Sequence, residues 1–204
     1  MITAVPSRQT TFDYDRTVVA FHGTRRDIAD ALVAGTPFGK SENDDDWLGH
    51  GIYFWEYAPQ QAWWWANLRY GKSKSAVVGA LIRLGKCLDL LDPANAELLR
   101  ETHKEMVFAL GELGLKPKDN ANNHKYLDCS VFNYFFAKLA RERYSIESTR
   151  AVFVPTSPKK RGLDRLWSRS GVFASAHIQL SVREPNNILA VWSVKRDGRY
   201  GKDE

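Results

Sequence analysis

Gly49-His50-Gly51-Ile52-Tyr53-Phe54-Trp55 sets two glycines ahead of a β-branched and aromatic run, and that order decides which folds remain open. In a dinucleotide-binding βαβ unit the strand comes first, and the glycines then open a helix whose N-terminus receives a pyrophosphate. Here the glycines lead into a strand, which rules against that unit. What remains is a backbone that lets a flat group approach closely, followed at once by a ring that can stack on it. Upstream, Thr17-Val18-Val19-Ala20-Phe21 reads as a buried strand, so His22-Gly23-Thr24 falls where a strand opens into a turn.

Working outward, Asp27 to Val33 carries apolar residues at Ile28, Leu32 and Val33, the spacing of a short amphipathic helix ended by Gly35-Thr36-Pro37. A polar loop from Phe38 to Asp46 closes on three aspartates. Pro59 opens a segment that continues into Trp63-Trp64-Trp65, three rings spread over most of a helix circumference, so not all can be core. Ser75 to Leu91 reads as one or two strands with a turn at Gly85-Lys86, and Pro93 to Gly114 as a long helix. Leu127 to Arg143 is a second helix, its apolar face supplied by Val131, Phe132, Phe135, Phe136 and Leu139. Thr149–Val154, Val172–Val182 and Ile188–Val194 return to strands. Strands and helices in mixed order, with no internal repeat, predict an α+β architecture: one domain over residues 1–204 with a helical insertion at about 93–145.

Composition narrows the function classes. A chain of 204 residues with 44% hydrophobic positions is long enough for one well-packed core, and seven Trp exceed what packing alone usually demands. Cys87 and Cys129 have no close cysteine or histidine spacing, so neither a disulfide framework nor a zinc site is suggested, and no metal is expected. The longest uncharged apolar stretch, Ala76 to Ile82, is far too short to span a bilayer, and Met1 to Arg16 has no signal-peptide core; a soluble, cytoplasmic protein without a membrane partner is expected. The net charge of +5 belongs to the second half: residues 1–100 carry 11 Lys/Arg against 12 Asp/Glu, and residues 101–204 carry 18 against 12. Lys159-Lys160-Arg161 with Arg165 and Arg169, and the tail with Lys195, Arg196, Arg199 and Lys202, are the densest patches. Such patches are more often solvated charge than a binding footprint, but they leave nucleic acid open as a partner.

These motifs resemble those of the ADP-ribosyltransferases, in the poly(ADP-ribose) polymerase and diphtheria-toxin branch. His22-Gly23-Thr24 matches that family's His-Gly-Ser/Thr strand motif, followed by Arg25 and, a helix later, Gly35. Gly49-x-Gly51-Ile52-Tyr53-Phe54 matches its Gly-x-Gly-Ile-Tyr-Phe motif, with Ala62 where the family continues into a helix. His177-Ile178-Gln179-Leu180-Ser181-Val182 matches its third strand; counting from Gln179, Pro185 at +6 and Ile188 at +9 follow the pattern, but Gln179 itself stands where the family has a catalytic glutamate. The matching motifs lie across residues 17–70 and 172–194. The resemblance implies a split β-sheet, two packed antiparallel sheets with flanking helices, and NAD as co-substrate. It implies that Gly23 backbone groups bind the carboxamide, His22 the adenosine ribose, and that Tyr53 stacks on the nicotinamide. By spacing from Tyr53, Trp64 would cover the ring's other face, with Trp65 close behind; Thr24 and Gly51 belong to the same binding motifs, and Arg25 would meet the pyrophosphate. The chain also looks like bacterial members of this branch, some of them toxins or phage-defence effectors, which implies an antitoxin or regulator as a partner.

Cleaving nicotinamide from NAD passes through an oxocarbenium-like state, so the site must hold the base rigidly and support the ribose hydroxyls. A glutamate can hydrogen-bond the ribose 2′-OH, add negative charge beside the cation and activate an incoming hydroxyl; Gln179 can do only the first. The lost charge costs of the order of a few kcal/mol of transition-state stabilisation. Chain elongation is then disfavoured, and mono-ADP-ribosyl transfer to a protein or to RNA or DNA is the expectation, with NAD glycohydrolysis or a non-catalytic NAD- or ADP-ribose-binding module as alternatives. Glu184 and Asp44 to Asp46 are possible substitutes for the carboxylate, and His177 would share a face with Gln179.

Each residue also has a plain structural reading. His22 can be a satisfied histidine at a strand end, Tyr53 a core-facing aromatic, the tryptophans packing, His50 surface, Gln179 an ordinary polar strand residue, and the three aspartates a solvated loop.

Overall fold

Thr17–Arg25 (β1) is exposed at its two ends and buried or half-buried at every position between, as a strand covered on both faces is, and it organises the sheet around it. The structure, a computed structural model, describes residues 15–121, 124–157, 162–163 and 165–196. After β1 come α1 (Arg26–Val33), β2 (Ile52–Glu56), α2 (Pro59–Tyr70), β3 (Ser75–Arg83), β4 (Cys87–Asp89), α3 (Pro93–Glu112), α4 (Tyr126–Arg141), β5 (Ser148–Phe153), β6 (Thr156–Ser157), β7 (Gly162–Leu163), β8 (His177–Val182), a 3-10 turn at Pro185–Asn187, and β9 (Ile188–Ser193). Seven strands form one mixed sheet in the order β4-β5-β8-β2-β1-β3-β9, and β6 and β7 form a separate ribbon. The fold is thus α+β. β4 and β5 are the parallel pair, as strands joined through the α3–α4 crossover can be; the other neighbours run antiparallel. No helix among the described residues is long and apolar enough to cross a membrane.

Local chemistry explains the boundaries. Gly35, at φ +100°, ends α1: its N–H bonds the Leu32 carbonyl at 3.1 Å and the Thr36 N–H bonds the Ala31 carbonyl at 2.9 Å, the paired bonds of a glycine C-cap. The Asp92 side chain accepts from the Ala94 N–H at the start of α3, with Pro93 in the first turn. The apolar face expected of α4 is buried in full: Val131, Phe132, Phe135, Phe136 and Leu139 all lie in the interior, with Cys129. Cys87 and Cys129 are both free and buried. Of the strand expected over Val172–Val182, only His177–Val182 forms.

Side-chain alternation separates two faces of the sheet. On the back face, Val18, Ala20, Ile52, Phe54, Ile82, Leu180 and Val182 make a core over which Phe38 packs, and α1 adds Ala29 and Leu32 against Ala76 and Val78. Fully burying a ring such as Phe54 contributes about 2–3 kcal/mol. The front face is covered in two separate places. α2 seats Ala62 and Trp63 on Trp55 and Val77, while α4 seats Phe132, Phe135 and Phe136 around Leu48, Leu88 and Ala151. Between these covers runs a strip of β2 and β8 on which Tyr53, His177 and Gln179 are only half-buried.

The expected pair of packed antiparallel sheets is one sheet with a short joint. β1 pairs β3 along its whole length, from Thr17↔Arg83 to Arg25↔Ser75. On its other side β1 meets β2 only at Ala20↔Glu56 and Phe21↔Trp55. Those two pairs, with the Tyr57 N–H on the Val19 carbonyl at 3.1 Å, carry the hydrogen bonding from one half of the sheet to the other. Beyond Phe21 the strands part.

Candidate functional site

The parting of β1 and β2 leaves Gly23 in an unusual position. Along an antiparallel strand, successive residues point their N–H and C=O alternately to the two neighbours. The Arg16 carbonyl accepts from Leu84 N–H and Arg26 N–H donates to Lys74, so even-numbered residues of β1 face β3; the Val19 carbonyl accepts from Tyr57 N–H, so odd-numbered residues face β2. Gly23 therefore turns both its peptide donor and its acceptor toward β2, at a point where no ladder partner is in register. Its side-chain direction points out of the sheet plane, under helix α2: a Cβ there would stand 2.4 Å from the Ala62 carbonyl oxygen and 3.2 Å from the Ala66 Cβ. Only glycine fits beneath that backbone. A donor and an acceptor side by side, next to an aromatic residue, match a planar primary carboxamide.

His22 closes the back of the gap. Its ring lies on the back face, 5.4 Å edge-on from Phe38 and 5.5 Å from Phe54, and its Nδ1 lies 2.8 Å from the Tyr53 carbonyl oxygen. Because a carbonyl only accepts, Nδ1 carries the hydrogen and Nε2 is left as an acceptor. Burial pushes this imidazole below its ordinary value, with the Tyr53 hydrogen bond opposing in part, so it is neutral at pH 7.

Tyr53 is held through its hydroxyl, which donates to the Gly49 carbonyl at 2.9 Å and accepts from Leu48 N–H at 2.9 Å. Burial raises this phenol far above its ordinary value, so it stays protonated. Both glycines of the second motif are demanded by packing. Gly49 has φ +75°, and a Cβ would lie 2.7 Å from Phe136 Cε2; at Gly51 a Cβ would lie 2.3 Å from Ser181 Oγ. His50, expected at the surface, is half-buried, with its N–H on Asn133 and its carbonyl receiving Arg183 Nη1 at 2.8 Å.

Gln179 lies on the front face, beside Trp55 across the β2–β8 ladder. Its oxygen accepts from Trp47 Nε1–H at 2.6 Å. The indole is a donor only, which fixes the amide: Oε1 faces Trp47 and Nε2 faces His177 Nε2, 3.4 Å away. That contact requires an unprotonated His177 Nε2, and the other ring nitrogen agrees, since Nδ1 lies 2.8 Å from the Ser175 carbonyl and must donate to it. Burial lowers the His177 pKa, the Ser175 bond opposing in part. Trp47 and His177 both rest on Phe153, at 5.3 Å between ring centroids in each case.

The remaining sequence candidates sit as follows. Thr24 is buried opposite Ala76 of β3. Arg25 is exposed and paired with Asp27. Trp64 is 63% exposed, while Trp65 packs 5.8 Å from both Trp55 and Tyr70 and Trp63 is core. The three aspartates are tied down: Asp44 pairs with Lys118, Asp45 with His124 Nδ1, and Asp46 accepts from Ser41 and Asn43 while burial raises its pKa. Glu184 caps the 3-10 turn through the Asn186 N–H. Of the basic patches, Lys159-Lys160-Arg161, Arg199 and Lys202 lie outside the described residues; Arg165 packs over Phe173 and Arg196 over Trp63.

The structure thus brings Tyr53, Gln179 and His177 onto one strip and sets Gly23 beside it, with His22 behind. Sequence reasoning missed Trp47. It lies 132 residues from its partner Gln179, and nothing local to the Asp44–Leu48 loop marks it. No group of three or more His, Cys, Asp or Glu side chains arranged to hold a metal occurs among the described residues. No family model matches this chain, and no curated protein or solved structure matches it.

Proposed function

We propose that the chain binds NAD at the β1–β2 parting and acts as a mono-ADP-ribosyltransferase, cleaving nicotinamide and passing ADP-ribose to a nucleic acid or protein acceptor. The observation that carries this reading is the open peptide of Gly23: its N–H and C=O face an unpaired gap beside Tyr53, the donor–acceptor pair that a nicotinamide carboxamide complements. The motif resemblance supports the same ligand, and the two-pair joint between sheet halves supports a split-sheet arrangement of that kind. Tyr53 supplies a ring held rigidly by its hydroxyl, and the neutral His22 keeps Nε2 as an acceptor for a ribose hydroxyl. Gln179 offers the remaining N–H of its amide to the nicotinamide ribose.

A second reading, a module that binds NAD or ADP-ribose without turnover, is favoured by one observation: Gln179 carries no charge and its oxygen is already engaged by Trp47. The test separates the two. Purified protein is incubated with NAD labelled in the adenylate, together with separate protein, RNA and DNA pools, and nicotinamide release is followed in parallel. Transfer predicts label in one pool, and glycohydrolysis predicts free ADP-ribose alone. Tight binding without nicotinamide release over a day selects the module, and absence of any NAD binding overturns the ligand itself.

A further inference from the structure

We propose that His177 is the general base of this site, taking the proton from the hydroxyl that attacks the ribose, a role that Gln179 cannot fill. The inference rests on NAD being the ligand and deepens that reading. Three observations on the front-face strip support it. First, His177 is built as an oriented base: Nδ1–H is anchored on the Ser175 carbonyl at 2.8 Å, its ring rests on Phe153, and Nε2 is left with its lone pair free to accept. Second, that lone pair points at the side chain of Gln179, which stands where the resemblance places the glutamate that contacts the nicotinamide ribose. At 3.4 Å this contact lies at the long end of the hydrogen-bond range, so an incoming hydroxyl can replace it at little cost. Third, the choice of amide at 179 is what keeps the base available. A carboxylate there would turn an acceptor toward Nε2, and that arrangement favours a protonated ring. Glutamine, clamped by Trp47 with its amide nitrogen outward, demands the neutral ring instead. Its loss of charge and the presence of a base two residues upstream are therefore one design. Burial lowers the pKa of His177 and its bond to the Ser175 carbonyl opposes that shift, while the Gln179 and Phe153 side chains against it carry no charge.

The acceptor oxygen forms a bond to ribose C1′, and the bond from C1′ to the nicotinamide nitrogen breaks with its electron pair, so nicotinamide leaves neutral. The hydroxyl proton moves to His177 Nε2, and the resulting imidazolium releases it to water after the product departs. With water as acceptor the product is ADP-ribose; with an alcohol it is the O-glycoside.

The experiment uses the full chain, NAD, and water or methanol as probe hydroxyls, following nicotinamide release from pH 5 to 9 alongside equilibrium NAD binding. His177→Gln keeps a polar group of similar size but cannot take a proton. The expected result is a wild-type rate that rises with pH to a plateau, with a midpoint below the ordinary histidine value. The variant rate should fall by about 100-fold or more and lose that pH dependence, with NAD affinity held within about twofold. A variant that keeps the wild-type rate and profile overturns the base while leaving the ligand reading standing, and so does a variant that loses NAD affinity in proportion to rate. Wild-type protein that binds NAD without releasing nicotinamide overturns the base and selects the binding module; protein that binds no NAD overturns both. A second measurement needs no activity: the Cε1–H resonance of His177 should titrate at higher pH in Gln179→Glu than in wild type, because the added carboxylate favours the imidazolium. An unmoved midpoint contradicts the contact on which the proposal stands.

Discussion

The two glycine motifs look alike in sequence and differ in what the structure asks of them. At Gly49 and Gly51 every feature of the glycine is consumed by packing: Gly49 by a positive φ and the Phe136 ring, Gly51 by Ser181 Oγ and the Val182 carbonyl. The Gly49 carbonyl is engaged as well, by the Tyr53 hydroxyl. At Gly23, packing accounts for the Cα, which lies under the Ala62 carbonyl, but not for the peptide, which faces the gap between β1 and β2. A glycine whose Cα is closed in and whose peptide has no ladder partner leaves that peptide available to a ligand; a glycine closed on all sides is scaffold. In the proposed function the second motif therefore contributes the residue it delivers, Tyr53, rather than its glycines.

Substitutions can break or sharpen that contrast. The largest expected effect is Gly23→Ala, which sets a methyl group 2.4 Å from a helix backbone oxygen that cannot rotate away. It should lose about 3 kcal/mol of stability in denaturant unfolding, the upper part of the overpacking range. Gly51→Ala meets a side chain instead, so it should cost about 1–3 kcal/mol, and adding Ser181→Ala should recover part of that loss. Non-additivity of that pair is the sign to look for. If the two changes simply add, the Gly51 contact is not what demands glycine.

Smaller effects bear on the strip between them. Trp47→Phe keeps the ring against Phe153 but removes the N–H that holds Gln179 Oε1, and should cost about 1 kcal/mol with a changed His177 titration. The smallest effect is in pH. His22 and His177 both titrate below the ordinary histidine value in the folded state, so the unfolded chain binds more protons between the folded values and about 6.5. Their contribution is fully present above pH 6.5 and is lost as the pH falls below it. His22→Gln should shallow the acid side of a stability-versus-pH curve and leave its slope above pH 7 unchanged.

Much of the fold was legible in the sequence because its signals were local. The Gly35 cap, the Pro59 and Pro93 helix starts, the aromatic face of α4 and the strand runs all depend on residues a few positions apart. The residues of the candidate site could be named from the sequence, but not the contacts that join them. His22, Gly23, Tyr53, Gln179 and His177 could be named from motif and spacing, yet three relations that define the site are set by chain pairing over long separations. These are the stop in the β1–β2 ladder after Phe21, the His22 bond to the Tyr53 carbonyl, and the Trp47 bond to Gln179. The aspartates of the Asp44–Asp46 loop read as solvated charge because Lys118 and His124, which bind two of them, lie on the far connection between α3 and α4. The single joined sheet was hidden for the same reason. No local pattern says where two strands cease to pair.

The most direct test of the central proposal, that Gly23's open peptide receives a primary carboxamide, is the backbone N–H resonance of Gly23 in isotopically labelled protein titrated with nicotinamide, NAD and nicotinic acid. Saturable shifts of that resonance are expected with nicotinamide and NAD and none with nicotinic acid, whose carboxylate lacks the donor for the Gly23 carbonyl. A Gly23 resonance that stays still with all three ligands, or that moves equally with nicotinic acid, would contradict it.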